Sequence, residues 1–264
     1  MRYLSVRLLG TAALLALLSG CSSTRPVVDS GDDRATGQLG SPTVKESPAD
    51  VYIELSAAYL RDKNLTEAYL NAKKAVMVDS SSSNAQFMLA LVHQQLGQLE
   101  AAEKSYRKSI SLDPYNPVAL NAYGSFLCEQ QRYGDADGYF RRALDNPLYN
   151  TPWVAWHNAG SCGEMAGDME RAENDYRSAL QTNPRFAPSL LGMARVSFEQ
   201  GNYLSARAYL QRFSEVSPHT AESLWLGVRT ENQLGDKDQM ASYGLKLKAR
   251  FPDSHEAKYL QSID

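Results

Sequence analysis

The side chains best suited to chemistry in this chain are three cysteines and four histidines, and their spacing argues against a catalytic or metal site. No histidine stands in a His-x-x-x-His or Glu-x-x-His pair. Cys128, His157 and Cys162 together lack the fourth ligand and the close spacing that a tetrahedral zinc site needs. No glycine-rich phosphate loop is present either. We therefore predict no enzymatic activity, no metal and no cofactor. The four histidines are His93, His157, His219 and His255.

Cys21 has a different context, at the end of an apolar run near the start of the chain. A short basic segment is followed by the uncharged residues 8–18, the order of a bacterial export signal, and the run is shorter than the roughly 20 residues that span a bilayer. Its last residues, Leu-Ser-Gly-Cys, resemble the lipobox of bacterial lipoproteins. The resemblance implies that residues 1–20 are removed and that Cys21 is acylated. In that family, a serine after the cysteine, here Ser22, implies that the lipoprotein is sorted to the outer membrane. The alternative is an ordinary secretory signal with a chance cysteine.

Residues 21–48 change sharply in composition, to Ser, Thr, Gly, Pro and Asp with no aromatic residue. Such a segment buries too little apolar surface to offset its ordering entropy. We therefore predict a flexible tether that joins the acylated Cys21 to a globular part facing the periplasm.

The remainder of the chain repeats with a period of 34 residues. Small residues recur at the eighth and twentieth positions of the first five blocks, and a bulky apolar residue recurs at the twenty-fourth position of blocks two to five. These features resemble the tetratricopeptide repeat (TPR), in which two amphipathic helices cross closely at small side chains. We predict an all-α, right-handed superhelical solenoid of six TPR helix-turn-helix repeats plus a C-terminal capping helix. The predicted repeats span residues 49–82, 83–116, 117–150, 153–186, 187–220 and 221–254, and the predicted cap spans residues 255–264.

The sixth block departs most from this pattern. Val228 and Met240 occupy positions expected to be small, and Gly244 occupies the position expected to be bulky. Terminal repeats have only one neighbour and are commonly atypical, so we interpret the departure as an end of the solenoid.

Cys128 and Cys162 fall in the first helices of the third and fourth blocks, which are neighbours in a solenoid. Outside the cytoplasm, paired thiols oxidise, and with Cys21 acylated these two remain. We favour a disulfide between them, and the alternative is two buried free thiols.

In TPR proteins, positions 2, 5, 9 and 12 of each block face the concave groove. Apolar residues at these positions of the first two blocks predict a strip that binds a peptide or helix of a partner. The alternative is that they pack on one another or on the tether. Further along, the groove is polar, with His157, Glu164, Arg195, Arg229 and Asn232. The candidate binding residues are Ile53, Ala57, Leu60, Phe87, Leu91 and Gln94.

The stretches "AGSCGEMAGDMERAENDYRSAL" and "AESLWLGVRTENQLGD" and the closing "RFPDSHEAKYL" resemble the pilotins (PilF/PilW), the type IV pilus biogenesis lipoproteins. Cys128 and Cys162 match the pair of cysteines in that family. The resemblance implies an adaptor, anchored to the outer membrane by its acyl chains, that binds type IV pilus secretin (PilQ-like) subunits and promotes their localisation and multimerisation. The alternatives are a TPR lipoprotein scaffold for β-barrel assembly and one that regulates peptidoglycan synthases or hydrolases. We expect a monomer, and the net charge of -3 argues against nucleic acid as a partner.

Overall fold

The computed structural model describes residues 47–263, and this part of the chain contains helices and no strand. The thirteen described helices are α1 (Pro48–Arg61), α2 (Leu65–Val78), α3 (Ser83–Gln95), α4 (Leu99–Leu112), α5 (Pro117–Glu129), α6 (Tyr133–Leu144), α7 (Pro152–Met165), α8 (Met169–Thr182), α9 (Ala187–Glu199), α10 (Tyr203–Val216), α11 (Ala221–Leu234), α12 (Lys237–Arg250) and α13 (His255–Ile263). They confirm the predicted all-helical solenoid of six helix pairs with a capping helix.

Local sequence accounts for where the helices begin. Pro48 and Pro152, which the repeat alignment leaves outside the first and fourth blocks, are the first residues of α1 and α7. Proline suits this position because its missing N–H has no intrahelical partner there. Ser47 caps α1 by accepting a hydrogen bond from Ala49 N, while Asp50 accepts one from Ser47 N. These two capping hydrogen bonds fix the start of the first helix at residue 48.

The helices stack in a regular order. Each odd-numbered helix packs against the even-numbered helix that follows it and against the next odd-numbered helix. Within residues 47–263, α1, α3, α5, α7, α9, α11 and α13 consequently form one continuous row, which is the concave row of a TPR solenoid.

Small residues bring the two helices of a pair together as predicted. In the first repeat, Ser56 Oγ donates a 2.8 Å hydrogen bond to the carbonyl oxygen of Ala68, directly across the crossing. In the fourth repeat, the Tyr176 ring packs on Gly160 of its own pair and on Gly192 of the next. A bulky side chain at position 24 therefore packs at the helix crossing of its own repeat and also against the first helix of the next repeat.

The sixth repeat keeps this arrangement with a shift of one residue. The ring on α12 belongs to Tyr243 rather than to position 244, and it packs on Gly227 rather than on Val228. Leu260 of the capping helix lies over Gly244. The deviant residues Val228, Met240 and Gly244 therefore reflect a different packing between α11, α12 and α13.

Ion pairs that involve a buried carboxylate join successive repeats. Arg141 on α6 contacts the buried Asp175 on α8 at 2.7 Å, and Arg207 on α10 pairs with the buried Glu231 on α11. Each buried carboxylate thereby keeps a charged partner, which burial requires. No helix among the described residues is long and apolar enough to cross a membrane.

Candidate functional site

The structure brings Ile53 and Phe87, two of the predicted binding residues, to the wall of one depression. The depression lies between α1 and α3 and has a volume of about 350 Å³. Asp50, Glu54 and Asn84 line it as well, so an apolar floor has a polar and partly acidic rim. Both apolar side chains are half-buried and keep surface that a partner can cover.

The other apolar residues of the predicted strip do not line this depression, and like Ile53 and Phe87 they pack on the protein's own core. Ala57 and Leu60 pack against the core of the first two repeats, and Leu91 packs against the next core cluster. All three are half-buried. The strip is therefore neither fully hidden nor fully open, and a hollow lies beside Ile53 and Phe87.

Gln94 is held by two neighbours. Its Oε1 accepts a 2.6 Å hydrogen bond from the Tyr106 hydroxyl, and its Nε2 donates to Glu129 Oε2 at 2.8 Å. Burial raises the pKa of Tyr106, and the charge of Glu129 adds to the effect, so the hydroxyl remains a donor at neutral pH. A partner that bound Gln94 would have to displace these bonds.

Cys128 and Cys162 form a disulfide between α5 and α7, with their Cα atoms 5.8 Å apart. Both residues are buried. Next to them, Asn158 Nδ2 donates to Asn121 Oδ1 at 3.1 Å, again between α7 and α5. The third and fourth repeats are thus joined by a covalent bond and a hydrogen bond on the concave row.

On the C-terminal side of the disulfide, the concave row is polar, and its charged side chains pair with one another. Arg195 donates to Glu164 Oε1 and Oε2 at 3.1 and 2.8 Å and to Glu222 at 2.8 Å. The Tyr176 hydroxyl also donates to Glu164. Since each of these groups already has a partner, this region offers little unpaired charge to a ligand.

His157 lies beside this network, between the rings of Tyr176 and Phe186. Burial lowers its pKa to about 4, and the positive charge of Arg195 adds to the effect. His157 is therefore neutral at pH 7, with Nδ1 at 3.1 Å from Ser189 Oγ. Its role is packing and hydrogen bonding. Among the described residues, no group of His, Cys, Asp and Glu is arranged to hold a metal ion.

A second apolar hollow lies at the other end of the row, between α11, α12 and α13. It has a volume of about 420 Å³. The sequence prediction included Arg229 and Asn232 as polar groove residues but did not identify this pocket. The sequence feature that could have indicated this pocket is Gly244, which stands where four other repeats have a buried bulky residue. Its principal lining residues are Trp225, Val228, Arg229, Met240, Leu245 and Lys248.

The predicted acylation site, Cys21, lies outside the described residues, as do the predicted signal segment and nearly all of the predicted tether.

Comparison with known proteins identifies both the repeats and a set of relatives. Tetratricopeptide-repeat models match residues 83–116 and residues 165–225. The type IV pilus assembly protein PilF of Pseudomonas aeruginosa is 32% identical over 250 residues, which cover 94% of this chain and 96% of that protein. An uncharacterised protein of Haemophilus influenzae is 29% identical over 133 residues, or 50% of this chain and 74% of that protein.

Solved structures give the same result. The structure of Pseudomonas aeruginosa PilF superposes with a TM-score of 0.73 at 32% identity, covering 82% of this chain and 97% of that one. The structure of PilW, described as a widely conserved type IV pilus biogenesis factor, superposes with a TM-score of 0.76 at 28% identity, covering 82% of this chain and 99% of that one.

Proposed function

This chain belongs to the PilF family of type IV pilus assembly proteins, and on that premise we propose that it is a non-enzymatic adaptor which binds subunits of the pilus secretin. In this proposal the protein is anchored to the outer membrane through an acylated Cys21 and faces the periplasm. It escorts secretin subunits to that membrane and promotes their multimerisation.

The observation that carries the proposal is the depression between α1 and α3. It combines a half-buried aliphatic side chain, Ile53, with a half-buried aromatic ring, Phe87. Because both side chains are already half-buried, a partner that covered the rest would gain about half of the 1.5–3 kcal/mol that full burial of one such side chain contributes. Because α1 is the first described helix, this hollow lies at the end of the solenoid nearest in sequence to the predicted anchor.

The rim of the depression defines the chemistry of the segment that would bind. Asp50 and Glu54 carry negative charge, and Asn84 offers an amide. An apolar helix or strand of the secretin with a lysine or arginine beside its apolar face complements such a site. Binding would then have an electrostatic component that weakens as salt concentration rises.

Ile53→Glu tests the proposal directly. A charge on the floor of the hollow should abolish capture of the secretin subunit, because a carboxylate would have to be buried against an apolar segment. Met77→Glu is the matched control, since Met77 is 80% exposed on α2 of the same repeat. The measurement is recovery of secretin with each tagged variant from detergent-solubilised envelope, with helicity checked by circular dichroism.

If a folded Ile53→Glu chain captured secretin as well as the unsubstituted chain does, the binding site would have to lie elsewhere on the solenoid. Recovery of a β-barrel assembly protein or a peptidoglycan enzyme by the unsubstituted chain, with no secretin, would contradict the proposed partner itself.

A further inference from the structure

The first three helices of the concave row each present an accessible apolar side chain in their first half. Ile53 on α1 and Phe87 on α3 occupy position 5 of their repeats and line the same depression. In the third repeat, position 5 is Asn121, which is buried and accepts a hydrogen bond from Asn158. The accessible apolar side chain of α5 lies one turn earlier, at Val118, which is 50% exposed. A bound segment can therefore contact one apolar group on each of three successive repeats.

A fixed hydrogen-bond donor lies on the rim of the depression, on the side next to α5. Asn116, the residue that caps α5, donates from Nδ2 to Asn84 Oδ1 at 3.1 Å. Asn116 is itself held, because its Oδ1 accepts hydrogen bonds from the N–H groups of Val118 and Ala119. With its oxygen engaged, Asn84 directs its Nδ2 group elsewhere, and within residues 47–263 that group has no acceptor. Asn84 therefore offers an exposed N–H group of defined direction to a ligand.

The spacing of the helices suits one type of backbone. Neighbouring packed helices lie about 8–10 Å apart, so a segment that crosses α1, α3 and α5 meets successive apolar side chains at about that distance. A polyproline II segment makes one turn in three residues and rises about 9 Å in that turn, so every third side chain points the same way at this spacing. In a β-strand, the side chains on one face are only about 7 Å apart.

An α-helix is the other backbone that comes close to this spacing. Its side chains seven residues apart lie on one face, about 10 Å from each other. The carbonyl groups of a helix are, however, occupied by its own hydrogen bonds, whereas those of polyproline II are free to accept others. Asn84 therefore distinguishes the two backbones, because only the extended segment offers an acceptor to its Nδ2 group.

The acidic rim indicates the charge of the segment. Glu54 lines the depression next to Ile53, its side chain is exposed, and it pairs with no basic residue in the part of the chain that the structure describes. Asp50 is partly engaged, because its Oδ2 accepts a hydrogen bond from Ser47 N. A carboxylate without a partner at this place favours a lysine or arginine beside the first apolar side chain of the segment.

We propose, on the basis of the function proposed above, that the secretin segment bound by this protein adopts the polyproline II conformation and carries an apolar side chain at every third residue. The first two of these side chains enter the depression beside Ile53 and Phe87, and the third covers Val118. A main-chain carbonyl of the segment accepts a hydrogen bond from Asn84 Nδ2, and a basic side chain pairs with Glu54.

The test uses the full chain in detergent micelles and three fluorescein-labelled peptides. The extended probe carries three leucines, one at every third position among prolines and serines, with a lysine before the first leucine. The shortened probe has serine in place of the third leucine. The helical probe is alanine-based, about 16 residues long, and carries leucines seven residues apart with the same lysine. Fluorescence anisotropy, corrected for micelles without protein, should show at least about tenfold tighter binding of the extended probe than of the helical probe.

Asn84→Ala tests the hydrogen bond to the main chain. The substitution should weaken binding of the extended probe about three- to tenfold, the equivalent of one hydrogen bond. It should leave binding of the helical probe within about twofold of its value for the unsubstituted chain. Gln95→Ala is the matched control, since Gln95 is an exposed amide on the same helix, and it should leave the affinity for both probes within about twofold.

Val118→Ser tests the third contact. It should weaken binding of the extended probe about threefold or more and leave the shortened probe unaffected, because only the extended probe has a leucine to place on Val118. Val78→Ser is the matched control, since Val78 on α2 is 49% exposed, almost as much as Val118. It should not change the affinity for either probe.

Four results would each overturn the proposal: no binding of the extended probe up to about 1 mM, binding of the helical probe that is equal or tighter, equal affinity in the Asn84→Ala and Gln95→Ala chains, or the same response of the extended and shortened probes to Val118→Ser. The proposed partner is judged separately, by secretin capture. Capture that depends on Ile53 together with any of these four results would leave the proposed function standing and remove only the polyproline II mode.

Discussion

At the scale of single residues, the distance between paired helices depends on glycines that face aromatic rings. A Cβ added at Gly124 would lie 2.8 Å from the Phe140 ring, and one added at Gly160 would lie 2.8 Å from the Tyr176 ring. Both distances are shorter than a normal carbon–carbon contact of about 3.5–4.0 Å. Glycine therefore remains at these positions despite its low helix propensity, because the ring occupies the space of a side chain.

This packing predicts opposite effects for two chemically identical substitutions. Gly160→Ala should lower the free energy of unfolding by about 1–3 kcal/mol through overpacking against Tyr176. Gly138→Ala should leave it unchanged or raise it by up to about 1 kcal/mol, because Gly138 lies within α6 with open space around its Cα and alanine favours the helix. Urea denaturation followed by circular dichroism measures both. Equal stabilities of the two variants would contradict the role given to the ring.

The sequence predicts most of this residue-scale packing, since small residues recur at positions 8 and 20 of the first five repeats and a bulky residue recurs at position 24 of repeats two to five. The sixth repeat could not be predicted in the same way. There the glycine and the ring move to Gly227 and Tyr243, one position earlier. A one-residue shift rotates the contact face of a helix by about 100°, and the pattern of repeats contains no information on that rotation.

At the scale of helices, the third and fourth repeats are joined by both a covalent bond and an ion pair. The disulfide joins α5 to α7, and the Arg141–Asp175 pair joins α6 to α8. Since a solenoid is stabilised mainly through nearest neighbours, these ties resist separation of the chain into two halves. These connections lie between the repeats that carry the two apolar hollows.

Reduction should therefore destabilise the protein measurably. The Cys128–Cys162 bond spans 34 residues of sequence, and closure of a loop of this length corresponds to about 3–4 kcal/mol in the chain-entropy relation. Dithiothreitol should lower the urea midpoint of the unsubstituted chain. The double variant Cys128→Ala, Cys162→Ala is the control: its midpoint should already be low and should not respond to the reductant. A midpoint of the unsubstituted chain that dithiothreitol leaves unchanged would contradict this role of the bond.

Helix boundaries were largely predictable because they follow local signals, such as proline at a first helical position. The predicted groove was only partly informative. Positions 5 and 9 of a repeat face the concave row, but how much of each side chain the neighbouring helix covers depends on three-dimensional packing. Ile53, Phe87, Leu60 and Leu91 all pack on the core, but only Ile53 and Phe87 also line a hollow between α1 and α3. The second hollow lies beside Gly244, where the repeat pattern leads one to expect a bulky residue.

At the scale of the whole solenoid, the concave row has two apolar ends and a polar middle. The middle satisfies its own charges through Glu164, Arg195 and Glu222. The hollow between α1 and α3 has an acidic rim, and the pocket between α11, α12 and α13 has a basic one. The two hollows therefore differ in the charge of the side chains around them.

An adaptor acts at a membrane only if it is anchored there, and the proposed anchor is Cys21. Several acyl chains on one residue give lasting attachment, since each buried CH₂ contributes about 0.8 kcal/mol. Cys21→Ser should abolish incorporation of radiolabelled palmitate and release the chain from the outer-membrane fraction, with its helicity unchanged. The double variant Cys128→Ala, Cys162→Ala loses the other two cysteines and should still be labelled. Labelling that survives Cys21→Ser, or an unsubstituted chain that takes up no palmitate, would show that the protein reaches its partners by another route.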